Sequence, residues 1–391
     1  MAATTPSPFT GAMKQDTTEP YPGPTRAPRR ITITGWQSIS AMGVGADALR
    51  HHGQPIPQMP APEGDYPADV RYRAANLDLA GLIGEKGIRN IDRITGLALG
   101  TAQLLRGDLG PYSGDPAERV GFVIGTSTGS IRSSSDFTRD SLVQDRPFRV
   151  NPARFPNTVM NCAAGQCAIR FKARGVNATI AGGRLSGLLA LHYASQILRR
   201  GYADCLLTGA VEEMSPQMAW AHRALMHQGK RNDVALGEGC GMFVLEPRVT
   251  DGFEIAALCY RHYYDPATGD PRQGALDCIR DALQQAGMDS GDLTDCCLCG
   301  GAEPLAADNE RRAVDALRAP GLTVHDTILS EQFGDTYSAT FALALCHLLS
   351  HLEARAHDIA SPAGMVLATT ETGHVGCMIV RKVGPHSGES R

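Results

Sequence analysis

Residues 175–201 read GVNATIAGGRLSGLLALHYASQILRRG, and this stretch decides the fold. Its first part, from Val176 to Ala181, is typical of a short strand. From Ser186 to Arg200, apolar side chains recur at helical spacing, and Gly201 ends the run, which predicts a helix. A strand, a glycine turn and a helix therefore follow one another, and Arg184 lies at the turn.

The same alternation of strands and helices extends along the chain on both sides of this stretch. It indicates a layered α/β fold, and two successive sets favour a duplicated architecture divided near Pro247. The other predicted strands are Ile31 to Gly35, Val120 to Gly125, Asp204 to Gly209, Gly241 to Glu246, Phe253 to Tyr260, Asp295 to Cys299, Gly364 to Ala368 and Gly376 to Lys382. The other predicted helices are Arg93 to Leu105, Ala275 to Ala286, Asn309 to Leu317 and Ala339 to Leu352.

Length and composition set limits on the domain organisation and on the partners. The 391 residues are long enough for two halves with cores, which we place at 30–247 and 248–384. Residues 1–29 are rich in Pro, Thr, Ala and Gly, so we expect a disordered arm, and residues 385–391 are expected to form a loose tail. The net charge of −4 without a basic cluster argues against nucleic acid or membrane as a partner.

Eleven cysteines are scattered along the chain, an odd number that favours reduced thiols in the cytoplasm. The densest group is Cys296, Cys297 and Cys299. Because no second pair of ligands with metal-binding spacing accompanies it, we interpret it as part of a buried strand. We therefore expect neither a metal nor a cofactor.

Several segments together resemble the β-ketoacyl synthase family, and the similarity runs from about Arg30 to Lys382. The segments are ITITGWQSIS at 31–40, NP at 151–152 with FPNTVMNCAAGQ at 155–166, and GEGCG at 237–241 followed by the strand MFVLE. Their order and spacing carry the resemblance, since each motif alone is weak. The resemblance implies the thiolase fold, in which two similar βαβαβ halves form five layers in the order α-β-α-β-α around a buried helix pair.

In that family a cysteine at a strand-to-helix elbow carries the acyl chain as a thioester, and two histidines assist decarboxylation. The position of the cysteine is occupied here by Arg184. The first histidine falls on Cys299 in CGGAEPL at 299–305, within about one residue, and the second falls on Asp335 in SEQFGD at 330–335, where Ser330 replaces a lysine. Glu371 stands where the family has a gating phenylalanine. The resemblance thus implies a site without catalytic residues.

A guanidinium at the elbow needs an anion. A cation at a helix N-terminus opposes the helix dipole, at a cost of roughly 0.3–1 kcal/mol, and a buried cation without a partner costs several kcal/mol. Asp335 and Glu371 are the acidic residues that the implied fold brings near Arg184. We therefore expect Arg184 to pair with Asp335, with Glu371 or with both.

A ketosynthase-like subunit without its cysteine resembles a chain length factor, the partner of a catalytic ketosynthase in type II polyketide synthases. The resemblance implies a heterodimer with that catalytic subunit, an acyl carrier protein as second partner, and a tunnel that limits chain length. Chain length factors for aromatic polyketides usually carry glutamine at the cysteine position, so Arg184 favours systems that make reduced or polyene chains. The implied tunnel candidates are Ile131, Ser133, Ser134 and Phe137, and the implied interface candidates are Met160, Asn161 and Cys162.

Other functions remain open from the sequence. One is an active condensing enzyme or acyltransferase of the same fold with a displaced nucleophile, for which Cys162, Cys240 and Cys299 are candidates. Another is a homodimeric protein that binds an acyl carrier or a small ligand. A third, decarboxylation without condensation, depends on the two histidines that are replaced here.

Overall fold

The computed structural model describes residues 29–49, 65–73, 75, 77–112, 117–247, 251–263 and 271–384. The predicted N-terminal arm, apart from Arg29, and the predicted C-terminal tail lie outside the described residues. The strands are Thr32–Ser40 (β1), Gly43–Val44 (β2), Tyr72–Arg73 (β3), Val120–Gly125 (β4), Asn177–Ile180 (β5), Cys205–Glu212 (β6), Leu236–Gly237 (β7), Gly239–Glu246 (β8), Gly252–His262 (β9), Leu293–Leu298 (β10), Thr323–His325 (β11), Ala363–Thr369 (β12) and His374–Val383 (β13).

The α-helices alternate with these strands. They are Leu79–Ile83 (α1), Arg93–Leu104 (α2), Ile131–Val143 (α3), Cys162–Phe171 (α4), Ser186–Arg199 (α5), Pro216–His227 (α6), Pro271–Ala286 (α7), Pro304–Leu317 (α8), Thr327–Gln332 (α9) and Thr340–Arg355 (α10). No helix of the described residues is long and apolar enough to cross a membrane.

The two halves of the chain repeat one sheet topology. In the first half the strand order is β1-β8-β6-β4-β5, and in the second it is β9-β13-β12-β10-β11. In both halves the first three strands of that order run antiparallel and the last two contacts are parallel. The two sets join where β1 pairs with β9, at Thr32 with Glu254 and at Ile33 with Phe253. The duplicated α/β architecture predicted from the sequence is therefore confirmed.

The helices form the layers on either side of the sheets. Helices α5 and α10 share the largest hydrophobic core with β4, β6, β8, β9, β12 and β13, so they form the central layer. Helices α2 and α4 cover the outer face of the first half, and α7 and α8 cover that of the second. This order is the five-layer arrangement of the thiolase fold, and it places the N-terminus of α5 beside the N-terminus of α10.

Several elements were not predicted from the sequence. Strand β11 has three residues, too few for a periodic pattern, and helix α4 begins inside a segment that was interpreted only as a motif. The predicted strands and helices otherwise occur, and their ends shift by a few residues. The strand from Asp204 to Gly209, for example, extends to Glu212 because three more residues pair with β8.

Close packing at the centre of the first sheet requires glycine at position 209. A Cβ atom there would overlap the backbone carbonyl oxygen of Gly241 on β8. Because backbone atoms of a central strand cannot move aside cheaply, we expect Gly209→Ala to lower the free energy of unfolding by about 3 kcal/mol. Urea denaturation followed by circular dichroism measures this loss.

Gly165 in α4 is the matched control. A Cβ atom at Gly165 meets open space. Gly165→Ala should leave the stability unchanged or raise it by about 0.5–1 kcal/mol, because alanine has the higher helix propensity. Equal effects of the two substitutions would contradict the close approach of β6 and β8.

Candidate functional site

The elbow of the first half presents Arg184 to the interior of the protein. Strand β5 ends at Ile180, and a 3-10 turn from Gly183 to Leu185 leads into α5. Gly183 has a φ of 60°, a left-handed conformation that glycine adopts at little cost. The hydroxyl of Ser186 accepts a hydrogen bond from the N–H of Gly182 at 2.9 Å and closes the turn. The guanidinium is thereby fixed at the N-terminus of α5.

Arg184 forms a bidentate ion pair with Asp335, as the sequence led us to expect. Nη1 donates to Oδ1 and Nη2 donates to Oδ2, each at 2.7 Å. The Asp335 side chain is fully buried and that of Arg184 is 14% exposed. In this planar geometry the two charged groups form stronger hydrogen bonds than neutral partners would. The buried cation is therefore compensated.

Further charged side chains surround this pair, and we call the set of six residues the elbow cluster: Arg184, His222, Arg231, Glu303, Asp335 and Glu371. Glu303 Oε1 lies 2.8 Å from Nε of Arg184 and 3.0 Å from Nη2 of Arg231. Arg231 also approaches Glu371, with Nη1 3.7 Å from Oε2. Two guanidinium groups thus face three carboxylates. Glu371 contacts Arg231 and belongs to the cluster without a direct ion pair to Arg184 among the described contacts.

Asp335 is held ionised by its neighbours. Burial raises the pKa of Asp335, but the charge of Arg184 and the hydrogen bonds that Arg184 donates outweigh burial and hold that pKa well below its ordinary value. For Arg184 burial lowers the pKa, and Asp335 and Glu303 more than reverse that effect. The backbone N–H of Tyr337 also donates to Asp335 Oδ1 at 3.1 Å, and the Tyr337 ring lies 4.5 Å from the guanidinium. The pair therefore stays charged at neutral pH.

His222 supports the pair from α6. Its Nε2 lies 3.1 Å from the carbonyl oxygen of Val234, an acceptor, so Nε2 carries the proton. Its Nδ1 lies 3.6 Å from Asp335 Oδ2. The ring is fully buried. His222 therefore contributes an imidazole to the elbow cluster, and the carboxylate beside it, Asp335, is already paired with Arg184.

The structure brings together Arg184, Cys299, Ser330 and Asp335, as expected from their positions in the sequence. Cys299 lines the space beside Arg184 together with Leu185, Tyr337 and Thr340, and that space has a volume of about 10 Å³, enough for about one water molecule. Ser330, Cys299 and Asp335 line an adjoining space of similar size. Each of these two spaces is therefore too small to hold an acyl chain.

Three members of the elbow cluster were missed by sequence reasoning. Glu303 falls in the segment at 299–305 that was compared with the family, and its charge was the available signal. His222 lies on α6, and Arg231 lies in the short loop between α6 and Gly237. Only the folded chain shows the contacts of these two residues. Each is identified by its distance to Asp335 or Glu303 and by burial.

The candidate alternative nucleophiles are poor thiolates. Burial, followed by the charge of Asp92, raises the pKa of the Cys162 thiol, and burial raises that of Cys240 to about 12. Burial and then the charge of Glu310 raise the pKa of Cys299 well above its ordinary value. A thiol attacks as the thiolate, so the raised pKa values disfavour these three side chains as nucleophiles at neutral pH.

Glu310 fixes the two loops that carry Cys299 and Glu371. Its Oε2 accepts from the N–H of Gly300 at 2.7 Å, and its Oε1 accepts from the N–H of Thr369 at 2.6 Å. Burial outweighs these hydrogen bonds and raises the pKa of Glu310 from 4.5 to about 8. Glu310 is thus a buried carboxyl that supports the walls of the candidate site.

The ion pair can be tested by removing its cation. Arg184→Leu leaves Asp335 and Glu303 buried with less positive charge, and we expect a loss of about 3–5 kcal/mol in the free energy of unfolding. Adding Asp335→Asn should recover much of that loss. The matched control is Arg119→Leu, since Arg119 pairs with Asp204 at the surface at 2.8 Å. An exposed pair contributes about 0–1 kcal/mol, so equal losses in the two variants would contradict the burial argument.

The pH dependence of stability tests Glu310. Because its pKa in the folded protein is about 8, the folded state retains a proton that the unfolded state has released. The stability that this retained proton contributes is fully present below the ordinary pKa of a glutamate side chain and is lost as the pH rises toward 8. Glu310→Gln removes the titration, so its stability relative to the wild type should rise with pH by up to about 1.4 kcal/mol per unit and level off above the folded pKa. A difference that does not change with pH would show that Glu310 is ionised throughout.

Comparison with known proteins places this geometry in a family. The model described as the N-terminal domain of β-ketoacyl synthase matches residues 78–250. The 3-oxoacyl-[acyl-carrier-protein] synthase 2 of Rhizobium meliloti (strain 1021) is 26% identical over 329 residues, which cover 74% of this chain and 78% of the relative.

Solved structures give the same result. A structure described as the ishigamide ketosynthase/chain length factor is 30% identical, with a TM-score of 0.79, and the match covers 91% of this chain and all of the other. A type II polyketide ketosynthase in complex with its acyl-carrier protein and bound to a hexaketide has the same fold at 17% identity, with a TM-score of 0.73 over 91% of this chain and all of the other. The chain therefore belongs to the β-ketoacyl synthase family and has the thiolase fold.

Proposed function

We propose that this chain is a non-catalytic chain length factor. It pairs with a catalytic ketosynthase and shapes the tunnel for a growing polyketide chain that an acyl carrier protein delivers. The observation that carries the proposal is the buried bidentate pair between Arg184 and Asp335 at the elbow where the family places its nucleophile. Similarity to the ishigamide ketosynthase/chain length factor supports it.

The chemistry of the elbow cluster is incompatible with condensation at this site. Acyl transfer needs a nucleophile that forms a thioester, and a guanidinium stays protonated and cannot attack. The two histidine positions hold Cys299 and Asp335, neither of which supplies an imidazole proton donor for a developing oxyanion. Asp335 would also repel that negative charge. In the proposed complex, the reaction is therefore assigned to a cysteine-containing partner.

The surface around α4 offers a place for such a partner. Seven large apolar side chains between residues 142 and 169 are exposed, and we call them the exposed apolar surface: Leu142, Val143, Phe148, Phe155, Val159, Met160 and Ile169. Met160 is 39% exposed and Ile169 is 71% exposed. These residues lie on α3, on α4 and on the segment between them, and exposed apolar groups of this kind mark interaction sites. The interface candidates Met160, Asn161 and Cys162 lie within this part of the chain.

An edge strand adjoins the same surface. Strand β5 is the last strand of the sheet in the first half, and its residues are only partly buried. An edge strand presents backbone N–H and C=O groups to a second chain. In the family such pairing continues the sheet across the two subunits. This edge and the exposed apolar surface together support a heterodimer.

The tunnel candidates lie on α3. No residue of this helix, which is described throughout, is fully buried. Ser134 Oγ donates to the carbonyl oxygen of Thr158 at 3.2 Å, and Ser133 Oγ donates to Asp92 Oδ2 at the same distance. Ile131 packs on a small core cluster, and the Phe137 ring lies 5.8 Å from that of Phe155. Phe137 and Ile131 are the bulky candidates for limiting chain length.

Reconstitution tests the proposed role directly. The chain alone should show no condensation of malonyl and acyl groups on a carrier protein, and it should form a one-to-one complex with a ketosynthase that has an intact cysteine and two histidines. The complex should elongate chains that neither subunit makes alone. A homodimer that elongates chains, or that binds acyl carrier protein without any ketosynthase, would overturn the proposal.

The exposed apolar surface gives a substitution test. Ile169→Glu should abolish co-purification with the ketosynthase, because it places a charge in an apolar interface, and leave the stability of the chain within about 0.5 kcal/mol. Tyr202→Glu is the control, since Tyr202 is 54% exposed and lies outside this surface. Retention of the complex by the Ile169 variant would place the interface elsewhere.

Phe137→Ala tests the tunnel. If Phe137 limits chain length, the variant complex should make longer products than the wild type, which mass spectrometry of carrier-bound chains detects. Ser141→Ala, on the same helix with an exposed hydroxyl that donates to Thr138, is the control. Unchanged product length with an intact complex would remove Phe137 from the tunnel.

A further inference from the structure

Three histidines converge at the far end of the second half, away from the elbow cluster. His325 ends strand β11, and His347 and His351 lie one turn apart on α10. One ring nitrogen from each of the three lies within 4.8 Å of the others. The ring centroids are 4.5–5.1 Å apart. We call these three residues the histidine cluster.

A carboxylate orients the first histidine. Nε2 of His325 lies 3.0 Å from Oδ1 of the buried Asp295. Thr294 Oγ1 donates to Oδ2 of the same carboxylate at 2.8 Å, and Nε of Arg355 lies 3.1 Å from that oxygen. An ionised carboxylate only accepts hydrogen bonds, so Nε2 carries the proton and Nδ1 keeps its lone pair. A histidine prepared in this way is typical of metal sites, in which a carboxylate fixes the tautomer of the ligand.

We propose that the histidine cluster binds one first-row transition-metal ion, with Zn²⁺ the expected occupant. Three neutral imidazoles suit Zn²⁺, and residues four apart on a helix face the same side. Tetrahedral coordination at 2.0–2.1 Å brings ligand nitrogens to about 3.3 Å from one another, which small rotations of the rings supply. His351 is only partly buried and gives the ion a route from solvent. A water molecule completes the fourth position.

The position of the site indicates a structural role. Thr340, which lines the space beside Arg184, precedes His351 by eleven residues on α10, a separation of about 16 Å along the helix. The ion would instead join α10, at the centre of the protein, to β11, a three-residue edge strand of the second sheet. The expectation that the chain has no second pair of ligands with metal-binding spacing was wrong, because His347 and His351 lie four residues apart in this apolar helix.

Cobalt binding provides the first test. Purified chain, freed of metal with a chelator, is titrated with Co²⁺, and a tetrahedral site should give a visible absorption band that saturates at one equivalent and disappears when Zn²⁺ is added. Metal analysis after dialysis against Zn²⁺ should give one ion per chain. Absence of a saturable band and of bound zinc in the wild type would overturn the proposal without any variant.

Substitutions locate the ion. His351→Ala should abolish the cobalt band, and because His351 is partly exposed the variant should keep the circular dichroism spectrum of the wild type. His357→Ala is the matched control, an exposed histidine just beyond α10. Asp295→Asn should weaken Zn²⁺ binding by about tenfold while the band remains. Equal affinity in the His351 and His357 variants would show that the metal binds elsewhere and would refute the site.

Discussion

A guanidinium that stays charged and is removed from water must be surrounded by anions, and this constraint organises the centre of the protein. Arg184 enters from the turn between β5 and α5, Asp335 from the loop before α10, and Glu303 from the start of α8. Ion pairs therefore connect the first half of the chain to the second, in addition to the packing of α5 on α10. Breaking any one member leaves the others with uncompensated charge.

Much of the fold was predictable because it depends on long periodic segments. The strand from Val120 to Gly125 and the helix from Ser186 onward have unbroken patterns, and the structure reproduces their bounds within a residue. Strand β11 was not predictable, since three residues carry no period and its pairing with β10 is set by tertiary contacts. At the site, the pairing of Arg184 with Asp335 or Glu371 followed from charge compensation together with the fold that the family resemblance implied, whereas the contacts of Arg231 and His222 required the folded chain.

The protein shares the fold of its family, but the side chains at its elbow differ from those that the family's chemistry uses. The two sets of strands, the central helix pair and the elbow have the arrangement of the family, while the charged side chains of the elbow cluster surround the elbow. At the surface, apolar groups between residues 142 and 169 and the sheet edge at β5 are left uncovered. This distribution suits a subunit that acts through a partner's active site.

The elbow cluster also restricts which substitutions this site tolerates. A cysteine at position 184 would remove the cation and leave the buried carboxylates of Asp335 and Glu303 with Arg231 as their remaining guanidinium partner among the described contacts. Single substitutions within this set of charges would therefore destabilise the fold more than a combination that keeps the charges balanced. The ion pair thus couples residues 184, 303 and 335, so that the side chain at the elbow can be exchanged without loss of stability only together with its carboxylate partners.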